Sequence, residues 1–378
     1  MPNLSVIQAA LDRAVTDGVF PGAVLAVRCG NRPVSCFHAG HLSTVPPGSP
    51  VSPSTIYDLA SLTKPLATVT ALVLLMQKGC CQLDDYVADH LSECADTYIG
   101  SVTIRNILTH SSGLPGWRGF YKQLRPDGVI PSSAEEREQA KRAMLNLIQS
   151  ETPVYERGTR SLYSDLGFIL LGFIIERVSG QSMSEYFLEH IVCPLGEPRM
   201  GFILPGQHRA LSNSLDADIG DVAPTEIDRW RGYLLCGEVH DQNAAALGGE
   251  AGHAGLFGTV DAVLAISGEW LGAYHGRVTI LDRAMVHEFT RRQKLEGSSS
   301  WALGWDTPSV PSSAGCHFAA QAFGHLGYTG TSLWIDPVRE LEVVLLSNRV
   351  HPSNRNEAIR EFRPAIHDLV YQEFIGSI

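Results

Sequence analysis

Ser61 and Lys64 have the residue types and the spacing of a nucleophile and its base. Residues three positions apart share one face of a helix, and the apolar run at 66–76 predicts a buried helix that begins near Ser61. The chain has 5 Lys and 24 Arg in 378 residues. Burial can remove the charge of a lysine, whereas an arginine stays charged. The pair therefore predicts a serine that is activated by an uncharged Lys64.

The Ser-x-x-Lys spacing is a weak signal when it is taken alone. A lysine with its ordinary pKa is neutral only about 0.04% of the time at pH 7, and lowering the pKa by about three units costs roughly 4 kcal/mol. The apolar neighbours could supply that cost, and the helix N-terminus at Ser61 favours developing negative charge. The alternative interpretation is an N-cap serine with a lysine whose ammonium reaches solvent.

Two further patterns strengthen the functional interpretation. One is Tyr163-Ser-Asp165 before an apolar helix, and the other is Gly324-His-Leu-Gly-Tyr328 in a strand. In this order and at these separations, the three patterns resemble those of the serine β-lactamase and penicillin-binding-protein superfamily. The resemblance is closest to the branch with class C β-lactamases, D-alanyl-D-alanine carboxypeptidases and related esterases. It extends over residues 10–370, with secondary signatures at 108–114, 303–305 and 346–349.

The resemblance implies a catalytic group of three residues. Ser61 would be the acylated nucleophile, Lys64 its base or proton relay, and Tyr163 the residue that passes a proton to the leaving group and activates the deacylating water. The oxyanion hole of the family would map to the backbone N–H groups of Ser61 and Tyr328.

The same resemblance assigns substrate-binding roles beside the strand. Gly327 would leave room for substrate to lie along the strand. His325 would line the pocket and could bind a substrate carboxylate or tune the Lys64–Tyr163 pair.

Two positions depart from the family pattern. Asp165 stands where Asn is usual; a carboxylate cannot donate a hydrogen bond to substrate, and its charge favours a protonated Lys64. Asp165 is therefore either a residue with a direct role in the site, in substrate binding or in proton transfer, or a helix N-cap. His325 replaces Lys and removes a fixed positive charge. Both changes disfavour efficient β-lactam hydrolysis and leave acyl transfer from other esters or amides intact.

The Gly-rich segment 237–258 contains two histidines with nearby carboxylates. Its spacing matches no familiar zinc site, and its glycines lack the strand that a dinucleotide fingerprint requires. It resembles a stretch in muropeptide amidases and low-molecular-mass D-alanine carboxypeptidases, which implies a substrate-facing loop. The wider excursion 205–258 is long and weakly periodic, which predicts a lid or wall.

The order of strands and helices predicts an α+β fold. Strand-like runs near both ends predict one antiparallel sheet, flanked by N- and C-terminal helices and packed beside a mostly helical region, as in β-lactamases and transpeptidases. We expect one domain over 1–378, with an α/β part at 1–60 and 260–378 and a mainly helical part at 61–259. The predicted strands are 23–28, 33–38, 301–306, 322–328, 331–335 and 341–346.

Composition disfavours several other classes of protein. The net charge of −11 argues against nucleic acid or an anionic membrane as a partner. Apolar runs such as 167–175 reach about half of the roughly 20 residues that a membrane span needs. The N-terminus lacks the features of a signal peptide, so we expect a cytoplasmic protein. Eight cysteines without a Cys-x-x-Cys pattern predict reduced core residues.

These observations predict a serine hydrolase that needs no metal or cofactor and acts through an acyl-enzyme on a small-molecule or peptide substrate. A muropeptide or D-alanyl peptide is the first choice of substrate, a small carboxylic ester the second and a β-lactam the third. The alternative from another class is a non-catalytic ligand-binding sensor that uses the same pocket. The oligomeric state stays open.

Overall fold

The computed structural model describes residues 2–46, 48–196, 198–205, 221–295 and 299–376. Residues 206–220 of the predicted excursion lie outside the described residues. The helices are α1 (Leu4–Thr16), α2 (Ala60–Gln77), α3 (Val87–His90), α4 (Ile104–Leu108), α5 (Tyr121–Leu124), α6 (Ala134–Gln149), α7 (Asp165–Ser179), α8 (Met183–Phe187), α9 (Gln242–Ala246), α10 (Val260–Tyr274), α11 (Arg283–Thr290) and α12 (Ile359–Ile375). The strands are β1 (Gly22–Cys29), β2 (Ser35–Gly40), β3 (Tyr57–Asp58), β4 (Met200–Phe202), β5 (Leu256–Gly258), β6 (Phe323–Leu326), β7 (Ser332–Asp336) and β8 (Leu341–Ser347).

The main sheet combines strands from both ends of the chain. Its order is β2-β1-β8-β7-β6, and every neighbouring pair is antiparallel. In the predicted hairpin Val24 lies opposite His38, and on its other side β1 places Leu25 opposite Leu345. The predicted α+β class with an antiparallel sheet is confirmed.

The predicted strand at 301–306 is wrong. Asp306 makes two isolated bridges, one with Trp301 and one with Gly324, and neither extends into a strand. The chain reverses between Trp301 and Asp306 at Gly304, which has φ +77°. The amide of Ala302 donates to the carbonyl of Trp305 across this turn at 2.8 Å. Residues 301–306, whose aromatic and aliphatic composition predicted a strand, therefore form a tight loop.

The main sheet is buried on both faces. Successive residues of a strand point to opposite faces, so Val24 and Ala26 join the core with the helical region. Leu25 and Val27 join a second core with α1 and α12. The N- and C-terminal helices thus cover one face, as predicted, and α2 lies on the other. The extent of the single domain over 1–378 stays a prediction.

Helix α2 carries Ser61 and Lys64 and runs through the core. It opens with a 3₁₀ turn, continues as a π-helical stretch at Lys64–Val69 and becomes α-helical from Thr70. Proline at 65 is tolerated because the first helical turn needs no N–H donor there. The helix is long and apolar enough to span a membrane by length and composition alone, but 83% of it is buried inside the protein. The prediction that no membrane is a partner stays a prediction.

A second, three-stranded sheet connects the start of α2 with the Gly-rich segment. Its order is β3-β5-β4, and Asp58 in β3 lies opposite Phe257 in β5. The carbonyl of Leu256 also accepts a hydrogen bond from the amide of Leu59 at 2.9 Å. The residues just before Ser61 are therefore held by the end of segment 237–258.

The cysteines are distributed between core and surface. All eight are free. Buried positions include Cys81 and Cys94, whereas Cys36, Cys193 and Cys316 are exposed. The prediction that the cysteines are core residues is therefore wrong for the exposed ones.

Candidate active site

Lys64 is the centre of the site and is fully buried. Its Nζ donates to Ser61 Oγ at 2.9 Å, to Asp165 Oδ1 at 2.7 Å and to the carbonyl of His253 at 3.1 Å. An ammonium has three N–H groups, and each has an acceptor here. The predicted contact between Ser61 and Lys64 is present, and the lysine does not reach solvent.

The charge state of Lys64 differs from the predicted one. Burial is the largest single influence and would lower the pKa of Lys64, but Asp165 and Tyr163 together outweigh it, and the pKa is raised above its usual value. The prediction of an uncharged lysine is therefore wrong for the resting site. The expected effect of Asp165, which favours the protonated form, is what the structure shows.

Asp165 is placed by the first turn of α7. The N-cap of this helix is Ser164, whose Oγ accepts from the amide of Gly167 at 3.4 Å and donates to the carbonyl of Pro115 at 2.8 Å. The alternative that Asp165 is the N-cap is therefore wrong. Its carboxylate points at Lys64 instead and is 17% exposed.

Tyr163 lies beside Lys64, whose Nζ is 4.8 Å from the centroid of the Tyr163 ring, and its phenol faces the side chains of Lys64 and Ser61. Burial raises the pKa of the Tyr163 phenol, and this effect exceeds the opposing effect of the Lys64 ammonium. The resting site thus holds an ammonium, a carboxylate and a neutral phenol around the Ser61 hydroxyl. The three residues predicted to be catalytic are together.

His110 holds Tyr163 in place, and the sequence reasoning missed it. Its carbonyl accepts from the amide of Leu162 at 2.8 Å, and its Nδ1 accepts from the amide of Ser164 at 3.1 Å. Its ring lies 4.6 Å from the Tyr163 ring between centroids. Burial lowers the pKa of His110 well below its usual value, so the ring is neutral with its proton on Nε2. The only sequence signal was the secondary signature at 108–114.

His325 lies beside Tyr163, with ring centroids 5.9 Å apart. Its Nδ1 donates to the carbonyl of Leu326 at 2.8 Å, which leaves Nε2 as a buried acceptor without a partner among the described residues. Burial, together with the Lys64 charge, lowers the pKa of His325 to about 3. A neutral ring with a lone pair at Nε2 repels a carboxylate. The two predicted roles of His325, which are binding a substrate carboxylate and tuning the Lys64–Tyr163 pair, stay predictions.

Trp301 completes an aromatic group around Tyr163, and no motif pointed to it. Its ring lies 4.3 Å from His110 and 5.7 Å from His325 between centroids. Only the fold brings this tryptophan, from the loop after α11, to the cleft.

The turn after β6 is tied to the residues that precede Ser61. Thr329 Oγ1 donates to the carbonyl of Asp58 at 2.7 Å, and Thr331 Oγ1 donates to the carbonyl of Leu59 at 3.0 Å. A Cβ on Gly327 would meet Thr331 Oγ1 and would lie 2.6 Å from the Leu59 carbonyl. Glycine is therefore required at 327 by protein packing, and its role in making room for substrate stays a prediction.

Tyr328 presents its backbone and its ring to the cleft. Among the described residues its amide has no hydrogen-bond acceptor, as an oxyanion-hole donor requires. Its ring is 52% exposed, stacks on His240 at 5.6 Å and lies under the Arg349 guanidinium at 4.4 Å.

Segment 237–258 supports the site from behind α2. The carbonyl of Gly252 accepts from Thr68 Oγ1 at 2.6 Å, next to the His253 carbonyl that accepts from Lys64. The two histidines pair with different carboxylates, His240 with Glu226 and His253 with Asp241, both at 2.8 Å. Segment 237–258 therefore positions Lys64 through the His253 carbonyl, a contact that the sequence did not indicate, and its role as a substrate-facing loop stays a prediction.

Comparisons with known proteins agree with this geometry. The model of a family described as beta-lactamase matches residues 7–365. A putative D-alanyl-D-alanine carboxypeptidase of Escherichia coli (strain K12) is 33% identical over 312 residues, which cover 79% of this chain and 70% of the relative. A protein with the same name from Salmonella typhimurium is 31% identical over 323 residues, covering 81% and 72%.

Solved structures share the fold at lower identity. EstCE1, described as a hydrolase with promiscuous acyltransferase activity, superposes with a TM-score of 0.73 at 21% identity and covers 97% of this chain and 98% of its own. The octameric penicillin-binding protein homologue from Pyrococcus abyssi has a TM-score of 0.72 at 21% identity, covering 99% and 78%. At these identities the likeness concerns the fold.

Proposed function

Because this chain belongs to the β-lactamase family and is a serine hydrolase, we propose that it hydrolyses an amide or ester through an acyl-enzyme formed on Ser61. The observation that carries the proposal is the 2.9 Å hydrogen bond between Ser61 Oγ and the buried Lys64 ammonium, with the Tyr163 phenol beside both. A pure binding site has no use for this arrangement of proton-transfer groups around one hydroxyl.

Acylation begins with the loss of one proton from the Lys64–Tyr163 pair. Both groups are protonated at rest because their pKa values are raised, and the pKa of the first proton loss belongs to the coupled pair. The pair then accepts the proton of Ser61 while Oγ bonds to the substrate carbonyl carbon. The electrons of the C=O double bond move to oxygen, where the amides of Ser61 and Tyr328 would donate to the oxyanion.

Collapse of this intermediate breaks the bond to the leaving group. Tyr163 delivers the proton that the leaving amine or alkoxide needs, and the pair later removes a proton from the water that attacks the acyl-enzyme. The Asp165 carboxylate holds the Lys64 ammonium in place, so that Lys64 Nζ stays within hydrogen-bonding distance of Ser61 Oγ after each proton transfer. The products are the free acid and the restored Ser61 hydroxyl.

A peptidoglycan fragment, as a muropeptide or D-alanyl peptide, is the first candidate substrate. It is supported by the relatives named putative D-alanyl-D-alanine carboxypeptidase, which are 31–33% identical to this chain. A cytoplasmic location stays a prediction; it would limit the substrate to small recycled fragments of the wall.

A small carboxylic ester is the second candidate and has its own support. The neutral His325 offers a lone pair and no positive charge where the family usually has lysine. A carboxypeptidase substrate ends in a carboxylate that needs a positive partner. The uncharged His325 therefore favours an ester, or an amide without an adjacent carboxylate, and disfavours β-lactams.

The acyl-enzyme is tested by labelling with a fluorophosphonate probe, followed by peptide mapping. We expect one adduct on Ser61 and no labelling of Ser61→Ala. Ser54, which is also exposed near the start of α2, provides the control Ser54→Ala, which keeps full labelling. An adduct on another residue, with Ser61→Ala still active, would refute the proposal.

The substrate class is tested by parallel hydrolysis of three compound types. The set is an N-acetylmuramyl peptide ending in D-Ala-D-Ala, the same peptide as its C-terminal amide, and nitrophenyl esters of short acids. Preference for the free peptide supports the first candidate. Preference for the amide or the esters, with the free peptide slow, supports the second.

A further inference from the structure

Three metal-binding side chains meet on the face of the main sheet opposite to α2. Cys316 and His317 lie in the loop before β6, and Asp368 lies on α12. One donor atom from each lies within 4.8 Å of the other two. Neighbours of this group, Ala314 and Tyr371, belong to the core of α1 and α12 and not to that of α2. The group is therefore separate from the Ser61 site.

The Cys316 thiol and the Asp368 carboxylate are already in contact. Sγ donates to Asp368 Oδ2 at 3.2 Å, and the backbone amide of Cys316 donates to Oδ1 at 2.7 Å. A Cβ on the neighbouring Gly315, which has φ +87°, would collide with the Asp368 carboxylate. Glycine at 315 thus permits the close approach of this loop to α12.

The third donor is oriented by aromatic and polar contacts. The His317 ring stacks on Tyr371 with centroids 5.5 Å apart and an interplanar angle of 23°. Its Nε2 lies 3.3 Å from the side-chain amide of Gln372. The Gln372 amide nitrogen donates to Nε2, so the ring in this position carries its proton on Nδ1 and must turn to offer a lone pair to a metal ion.

We propose that Cys316, His317 and Asp368 bind a divalent transition metal ion of the Zn²⁺ class. Thiolate, imidazole and carboxylate are the ligand types of zinc, at about 2.3 Å for sulfur and about 2.0–2.2 Å for nitrogen and oxygen. In a tetrahedron these lengths place the donors roughly 3.4–3.6 Å apart. The Sγ–Oδ2 separation of 3.2 Å is already close to this value, and rotation of the exposed His317 brings in the third donor.

Binding replaces a proton by the metal ion. The thiol proton that Sγ shares with Asp368 leaves to solvent, an Sγ–metal bond forms, and a water completes the fourth position. The ion would clamp the loop at 313–318 to α12.

The first test uses Co²⁺ as a spectroscopic probe of the reduced, metal-free full-length protein. We expect saturable binding of one Co²⁺ per chain at micromolar concentration, with a thiolate-to-cobalt charge-transfer band in the near ultraviolet. Cys316→Ser should abolish the band, and Asp368→Asn should weaken binding at least tenfold. The exposed cysteines Cys36 and Cys193 provide matched controls, because serine at either position should leave the band unchanged.

The second test uses Zn²⁺ and thermal unfolding. One equivalent of Zn²⁺ should raise the midpoint temperature of the wild-type protein and of Cys193→Ser, with no rise in Cys316→Ser or His317→Ala. Each variant is first compared without metal, so that a folding defect is distinguished from lost binding. Absence of the band, equal loss of binding in the control variants, or saturation only at millimolar metal would refute the site. Because Ser61 is not involved, ester hydrolysis is measured separately and does not decide the result.

Discussion

The two walls of the catalytic cleft carry polar groups in opposite ways. On the helix wall, formed by Ser61, Lys64 and Asp165, a buried ammonium and a carboxylate lie 2.7 Å apart. On the sheet wall, formed by His325, Gly327 and Tyr328, the polar groups are a neutral imidazole and a backbone amide. Both walls lie beside the same phenol, Tyr163: Lys64 Nζ is 4.8 Å and the His325 ring centroid 5.9 Å from the centroid of its ring.

The difference between the two walls depends on whether a buried ionisable side chain has a partner of opposite charge. A buried charge is stable only with a partner, and Asp165 supplies that partner to Lys64. His325 has no carboxylate beside it, so burial keeps it neutral. The helix wall thus holds a paired charge beside Ser61, whereas the sheet wall holds a neutral imidazole, and the cation near it, Arg349, lies over the Tyr328 ring.

Removing the Lys64 charge from the helix wall should have the largest effect on kcat. Lys64→Met deletes the proton relay and leaves Asp165 without its partner, and we expect kcat to fall roughly a thousandfold or more. Lys141→Met is the matched control, because Lys141 is also a largely buried lysine paired with carboxylates, Glu176 and Glu250. It should lose stability and keep its activity per folded molecule. Equal kcat losses in the two variants would show that Lys64 acts only through stability.

The position of the Tyr163 phenol between the two walls should depend on His110. His110→Ala removes the acceptor of the Ser164 amide and the ring under Tyr163, and we expect kcat to fall about 100-fold with little change in KM. Asparagine tolerates the φ of +54° at this position and offers an acceptor oxygen, so His110→Asn should recover most of the loss. Steady-state kinetics of both variants measures this, and identical losses would argue against a positioning role.

Asp165→Asn should move the pH dependence of the reaction. The carboxylate raises the pKa of Lys64, so its removal lowers the pKa at which the Lys64–Tyr163 pair loses its first proton. The rising limb of kcat/KM against pH should shift to lower pH by about 1–3 units. Ser164→Ala, which changes the N-cap and keeps the charge, should leave the limb in place. An unmoved limb in Asp165→Asn would mean that Lys64 does not set the pH dependence.

His325→Lys should make the sheet wall resemble the helix wall by adding a charge. We expect KM for a peptide with a free C-terminal carboxylate to fall about tenfold relative to the same peptide as an amide. His325→Gln, which adds no charge, is the control and should not change this ratio. If the ratio of KM for the free peptide to KM for the amide fell equally in both variants, the added charge would not be the cause.

The smallest expected effect is a loss of folding stability in acid. It shows whether burial also keeps a histidine neutral outside the site, on the other face of the sheet. His367 is buried on the other face of the sheet, and burial lowers its pKa to about 4. Between about pH 6.5 and pH 4 the unfolded chain binds a proton at this histidine and the folded protein does not, so stability falls as pH falls. At pH 5 the loss should be about 2 kcal/mol. Denaturant unfolding of wild type and His367→Gln at pH 7 and 5 measures it, and equal pH dependence would contradict the assignment.

The local elements of the fold could be predicted from residue patterns. The hairpin β1–β2 follows from two apolar runs around Gly30-Asn31, and α7 follows from its apolar length between Ser164 and Gly180. The run at 301–306 failed for a local reason, since the turn at Gly304 outweighed its strand-like composition. Patterns therefore predict elements well where turn residues and periodicity agree.

Residue patterns could predict the candidate site only in part. The spacing of Ser61 and Lys64 within one helix determined their contact, because three residues make most of one helical turn. Neither the proton on Lys64 nor the N-cap role of Ser164 could be assigned, since each depends on what approaches from elsewhere. Asp165 is 101 positions from Lys64 along the chain, and its approach reversed the expected pKa shift.

The sequence by itself determined the contact between Ser61 and Lys64 and the α+β class, because spacing and periodicity act over a few residues, whereas Tyr163 was indicated only by the resemblance to a known family. Only the tertiary structure decided that Lys64 is charged, that His325 is neutral and that His110 and His253 hold the site together. These properties depend on burial and on contacts between distant segments. A charge responds to every group within several ångströms, whatever its position in the chain.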